Sequence, residues 1–269
     1  MSRREESIGN YRIRKASVFR RLLMDSLDAI PPGHNMMALL EFDVTKARAK
    51  LRKQRREGKA VSLFAFLVKS IAATIAENGE LNSVRSAHRI VEFEDVDVSV
   101  PIELDRAGEM TSRQLVIRRA SRKTVEQINK EIEAARARHR TSGETGREDQ
   151  QTLRLMKRMF LLPKFVRTLV LRKFISNPFI VKRMSGTTFV TSVSMYGISG
   201  FAVPYLGGPK ALSVALGGVV RKPVQLGTRI VTREILSVSV FFNHDIVDGA
   251  PAARFTNSLR KRIENAEVL

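Results

Sequence analysis

The chain has 269 residues, 43% of them hydrophobic, with 47 Lys and Arg against 27 Asp and Glu and a formal net charge of +20. That apolar share can fill a sizeable core and excludes a globally disordered chain; the lack of cysteine excludes disulfides, thiolate zinc sites and a cysteine nucleophile, and fits a reducing, cytoplasmic setting. The histidines, His34, His88, His139 and His244, never pair at i, i+4, so no metal site is expected, and the basic excess either attracts an anionic partner or serves solubility.

Met1 to Arg21 is charged and has no apolar h-region, which argues against a secretory signal. Ser17 to Leu27 is apolar at helical spacing, and Pro31-Pro32-Gly33 ends it. Met37 to Val44 reads as a strand, and Thr45 as the cap of a basic helix reaching about Gly58. Ser62 opens an apolar helix, Leu63 to Ala76, expected to be buried on most sides. Gly79 to Asn82 is a turn. Arg89 to Glu94 and Val96 to Leu104 read as strands, followed by a turn at Asp105 to Gly108 and a short strand, Gln114 to Ile117. Ser121 begins a helix that runs into a charged loop near Arg140 to Asp149. Leu153 to Met184 mixes Leu, Phe, Ile and Met with Lys and Arg and holds no acidic residue. Strand-like runs follow at Thr187 to Ser194, Ala211 to Val220, Arg229 to Arg233 and Leu236 to Phe242, then a helix from about Ala250 to Ala266. Interleaved strands and helices make an α/β chain, with a mixed sheet and covering helices. No run is long enough to span a bilayer.

The segment with chemical content is Phe241-Phe242-Asn243-His244-Asp245-Ile246-Val247-Asp248-Gly249-Ala250. A strand end holds the imidazole of His244 at a rigid sheet edge. Gly249 permits a tight backbone before the helix, and Asp248 can anchor the loop through a buried ion pair. Spacing alone leaves open that His244 is a satisfied structural residue.

His-x-x-x-Asp-Gly followed by Ala-x-x-Ala-Arg-Phe resembles the catalytic domain of the dihydrolipoamide acyltransferases of 2-oxo acid dehydrogenase complexes, in the superfamily of chloramphenicol acetyltransferase. Further matches lie in order along the chain: Ile13-Arg14-Lys15, Phe42-Asp43-Val44-Thr45, Ser62 to Ala73, Glu80-Leu81-Asn82, Asp95 to Val100, Gly186 to Gly197 and Gly218 to Val224. The resemblance implies one catalytic domain over residues 1–269, a two-layer α/β sandwich of the chloramphenicol acetyltransferase type, with a basic-apolar insertion at about 150–185. It implies acyl transfer between coenzyme A, as substrate, and a dihydrolipoyl-type thiol or another acceptor. His244 would be the general base, with Thr191, or Ser192 beside it, holding the oxyanion. Thiols ionise near about pH 8.5, so an imidazole neutral around pH 7 is a matched base. Asp248 would pair with Arg14 in support of the histidine loop. The family trimerises with the site between subunits, so a homotrimer or an assembly of trimers is expected. Arg221 and Lys222 are candidates for the phosphates of coenzyme A, or else a solvated turn.

Three departures from the family stand out. No lipoyl-type Asp-Lys-Ala is present, so a lipoyl group on this chain is not expected and the acyl carrier would act in trans. Asn243 and Asp245 flank the histidine where the family has an acid before it and a base after it, and a trimeric scaffold without catalysis is the alternative reading. The basic-apolar stretch 153–184 reads as an interfacial helix on anionic lipid, as a lid for a long acyl chain, or as a packing helix with solvated arginines. Charge alone motivates nucleic-acid binding; 6% aromatic residues and no tryptophan argue against it.

Overall fold

The computed structural model describes residues 10–13, 15–30, 33–59, 61–106, 109–141, 161–194, 197–203 and 208–269. Helices begin where a side-chain oxygen meets a free amide. Ser17 accepts from Arg20 N–H at 3.1 Å and opens α1 (Val18–Ala29). Ser62 does the same for Ala65 at 3.1 Å and opens α3 (Leu63–Ala76). The expected cap Thr45 works differently. It is the first residue of α2 (Thr45–Arg56), its own N–H donates to Asp43 Oδ1 at 2.9 Å, and its hydroxyl accepts from Glu234 N–H at 2.8 Å. Thr45 thus ties the helix to the sheet, and Asp43 supplies the capping oxygen.

The described residues form eight strands: β1 (Asn35–Asp43), β2 (Ser83–Ser86), β3 (Arg89–Glu92), β4 (Val98–Arg106), β5 (Glu109–Ile117), β6 (Thr188–Ser192), β7 (Leu212–Leu226) and β8 (Arg229–Asn243), of which β2 has no counterpart among the runs read from the sequence. Six form a mixed sheet in the order β1-β8-β7-β6-β4-β5, and β2 and β3 pair separately. Only the β7–β6 and β6–β4 neighbours are parallel. Several expectations change in extent, among them the run at Ala211 to Val220, which continues to Leu226, and the turn at Asp105, where β4 continues to Arg106. The runs at Arg229 and Leu236 are one 15-residue strand, because the β7–β8 hairpin continues unbroken past Glu234 to a turn where Gly227 adopts φ 59°. The short strand at Gln114 extends back to Glu109 because it pairs along all of β4.

Helices α2, α3, α4 (Val125–Thr141) and α7 (Gly249–Asn265) enclose the core with the sheet. As the pattern of Leu63 to Ala76 requires, α3 is the most enclosed: Phe66, Val68, Ile71 and Ile75 are fully buried. On β6 the burial alternates. Val190 enters that core, while Phe189 and Thr191 point to the opposite face. Within the basic-apolar stretch lie α5 (Lys164–Ile175), which packs on α1, and α6 (Pro178–Ser185), which packs by β2 and β5. Helix α4 takes in Arg140 and Thr141 of the loop expected there; the rest of that loop and the start of the basic-apolar stretch fall within 142–160, outside the described residues. No described helix is long and apolar enough to cross a membrane.

Two close approaches need glycine. At Gly186, φ is 64° and a Cβ would stand 2.4 Å from the carbonyl oxygen of Asp97. That contact lets Thr187 N–H reach the same oxygen at 2.7 Å and sets β6 beside β4. At the β7 bulge, a Cβ on Gly217 would lie 2.1 Å from Gly200 O, and one on Gly218 would lie 1.8 Å from Ile198 O. The segment 197–200 therefore crosses the sheet face at backbone-contact distance.

Candidate active site

β8 carries buried residues up to Asn243, and His244 follows with its side chain 48% exposed. The transition is held from several sides. Asn243 is 4% exposed; its N–H donates to Ala211 O at 2.9 Å and its side-chain amide donates to Gly208 O at 3.3 Å. Its Oδ1 accepts from Asp245 N–H at 3.0 Å, closing a turn around His244. The His244 N–H donates to His34 O at 2.6 Å, across to the start of β1. Behind the loop, Phe242 meets Phe255 edge to face with centroids 6.0 Å apart, which seats α7 on β8 and gives the Ala-x-x-Ala-Arg-Phe run its packing role. The imidazole therefore stands in solvent on a rigid mount.

Asp245, the acid in the family's basic position, is tied down. Its Oδ1 lies 2.9 Å from His34 Nδ1, and its Oδ2 accepts from the Arg85 guanidinium. The His34 hydrogen bond first, then the Arg85 charge, holds the Asp245 carboxyl below the usual carboxylate range. A depressed pKa means this stabilisation is full above the unfolded value of roughly 4 and is lost as pH falls through the lower folded value. Asp245→Asn should then lower the melting temperature by the equivalent of about 1 kcal/mol at neutral pH. The gap to wild type should narrow as pH falls below the unfolded value and close once it passes below the folded one. Melting curves across that range check it; a gap independent of pH would remove the ion pair from the account. Neither His34 nor Arg85 was legible as a site residue, since His34 lies 211 positions from Asp245 and no local spacing marks either one.

Other expected residues are placed differently. The Asp248 side chain is 85% exposed, and its one ionic neighbour among the described residues is His244 Nδ1 at 3.7 Å. Its expected partner Arg14 lies outside the described residues, so a buried pair is not formed among them. Gly249 needs no glycine conformation: its φ is not positive, and a Cβ there would meet nothing within 4 Å. As the first residue of α7, it has ordinary helical geometry.

Thr191 and Ser192 adjoin on β6 but differ. Ser192 Oγ is engaged with Ser194 Oγ at 2.9 Å, whereas the Thr191 hydroxyl, on the face away from the core, has no partner among the described residues. Thr191 pairs with Ala215, and Ala215 with Ser239, five residues before His244. Five residues along β8 and two strands across put Thr191 and His244 of one chain roughly 19 Å apart. Arg221 pairs with Glu234, ten residues before His244, and so lies about 30 Å from it along the strand. Lys222 is bonded to Glu41. One chain therefore brings neither hydroxyl nor these cations to the imidazole. Among the described residues no cluster of His, Asp and Glu could hold a metal.

This sandwich, with an exposed histidine after its last strand, has the fold of the chloramphenicol acetyltransferase class: that enzyme superposes with a TM-score of 0.50 over 90% of this chain and 92% of its own, at 10% identity. The model of the 2-oxoacid dehydrogenases acyltransferase (catalytic domain) family matches residues 3–152 and 176–269, and the chain belongs to that family. The chain is similar to the lipoamide acyltransferase component of the branched-chain alpha-keto acid dehydrogenase complex of Bacillus subtilis, 23% identical over 88% of this chain and 48% of that protein. It is also similar in fold to the cubic core of the pyruvate dehydrogenase multienzyme complex, with a TM-score of 0.69, 16% identity and coverage of 95% of this chain and 93% of that one. The chain spans about half the length of the curated relatives it matches. The family match omits 153–175, which contains α5.

Proposed function

We propose that this chain transfers an acyl group between coenzyme A and a thiol of the dihydrolipoyl type, carried in trans, at sites formed between the subunits of a homotrimer or an assembly of trimers. The observation that carries the reading is the imidazole of His244, exposed on a mount fixed by Asn243 and His34, in the His-x-x-x-Asp-Gly segment that resembles the family's motif. In this role His244 takes the proton from the attacking thiol, the thiolate adds to the thioester carbonyl, and the proton passes to the departing thiolate as the carbonyl re-forms. The Thr191 hydroxyl donates to the oxyanion of the tetrahedral intermediate.

The in-chain separation of Thr191 and His244 supports a shared site, because only a neighbouring copy can then supply the hydroxyl. The exposed Asp248 and the open space beside Gly249 also support it, as surfaces for a neighbour or a substrate to cover. An inert scaffold is not favoured. Asp245 is occupied by His34 and Arg85, and Asn243 by the turn, so both departures serve the mount.

Mixing subunits tests this reading. Chains carrying His244→Ala and chains carrying Thr191→Ala should each be nearly inactive alone. Trimers assembled from an equal mixture should recover about a quarter of the wild-type sites, since a site needs His244 from one copy and Thr191 from its neighbour. An active wild type with no recovery on mixing would reject the shared site. Wild type inactive with acyl-CoA and dihydrolipoamide would reject the reaction.

A further inference from the structure

We infer that the outer face of α5 is a docking surface for an anionic lipid bilayer. Phe165, Leu169, Arg172 and Lys173 stand at i, i+4, i+7 and i+8, which places them on one side of the helix. Phe165 is 75% exposed and Leu169 68%, and Leu161, one turn before, is 83% exposed. The opposite side is committed. Arg167 makes a buried pair with Asp25 of α1 at 2.8 Å, and Lys164 pairs with Asp28 at 2.7 Å. These bonds fix which face of α5 looks outward.

Charge decides the occupant. Residues 161–185 hold six cations and no acid. Among the described residues, Arg172 and Lys173 have no acidic partner. A second copy applied to the same face would set these cations against their own counterparts. The family match omits 153–175, so the contacts that the family's common fold makes do not require this helix. Isolated aromatic and aliphatic side chains projecting from a convex helix offer no groove for a peptide, but they can enter the boundary of a bilayer while Arg172 and Lys173 reach up to its phosphates. The net charge of +20 draws the whole molecule toward the same surface.

The chain has no tryptophan, so Phe165→Trp in the full-length protein is a unique reporter. Its emission should move to the blue, and be quenched by brominated lipid, on adding vesicles of phosphatidylcholine mixed with phosphatidylglycerol. Vesicles of phosphatidylcholine alone should leave it unchanged. Adding Arg172→Glu and Lys173→Glu should weaken partition at least about tenfold. Arg260→Glu with Lys261→Glu, the same charge change at exposed positions on α7, should weaken it less than about threefold. Three results would each overturn the inference: no response to anionic vesicles, equal loss from both charge reversals, or blue emission without vesicles that rises with protein concentration and assembly mass. The last would assign the face to a contact between copies.

Discussion

Replacing His244 by alanine is expected to lower the turnover of acyl transfer by roughly three orders of magnitude, the usual contribution of a positioned general base. The fold should not notice. The His244 ring is half exposed, and its one ionic neighbour among the described residues, Asp248 at 3.7 Å, is itself in solvent. What the loop depends on is the His244 backbone N–H bonded to His34 O, and alanine keeps that bond. The melting temperature and assembly mass should therefore stay near those of wild type. Steady-state rates with an acyl-CoA and dihydrolipoamide, read beside a melting curve, separate the two effects. The pH profile is a second readout. Without the imidazole, the residual rate should follow the ionisation of the thiol alone, falling about tenfold for each unit of pH below roughly 8.5. A variant within tenfold of the wild-type rate would leave His244 without its role.

Removing Asp97 should cost the fold several kcal/mol, about 3 by the count of its partners. Its side chain is 4% exposed, and three elements converge on it. Arg118 Nη1 lies 2.9 Å from Oδ2, the Arg119 N–H donates to Oδ1 at 2.9 Å, and Lys182 of α6 lies 3.8 Å away. The same Arg118 guanidinium also binds the carbonyls of Lys182 and Arg183. The backbone oxygen of Asp97 receives Thr187 N–H, so the residue joins β4, the end of β5, α6 and β6. Asp97→Ala would strip the Arg119 N–H of its acceptor and leave the half-exposed Arg118 and the less exposed Lys182 without their carboxylate, at about 3 kcal/mol. For a chain of this size that corresponds to a fall of roughly 10 °C in melting temperature. Differential scanning calorimetry checks it, and a fall under about 3 °C would show that water takes over the carboxylate's role.

These two residues mark how far the sequence could be read. His244 was visible because an apolar run stops at an imidazole and an Asp-Gly pair follows. Its chemistry came from resemblance, since spacing alone left a structural histidine open. Asp97 stood in a recognised strand, Asp95 to Val100, yet nothing local foretold Arg118, Arg119 and Lys182 around it, because that network arises where three elements meet. Ser62 was read correctly as a cap. Thr45 was not, since its hydroxyl is taken by Glu234 N–H across the sheet, a tertiary bond that overrides the local preference. The bond from Ser192 to Ser194 separates it from Thr191, where the sequence put Thr191 first and kept Ser192 beside it as the alternative. The hold of His34 and Arg85 on Asp245 depends on register between the first and last strands of the main sheet, which no window of sequence contains.

That register also governs how the molecule is made. Among the described residues, β1 pairs only with β8, Asn35 opposite Asn243 and Asp43 opposite Ile235. More than 180 residues separate Asp43 from Arg229. At a ribosome adding roughly 5–20 residues per second, the first strand waits about 10–40 s for its partner. Met36, Leu39, Leu40 and Phe42 stay unpaired through that interval, a β-edge open to other nascent chains. The imidazole loop, bonded to His34, takes shape only when translation has passed residue 244.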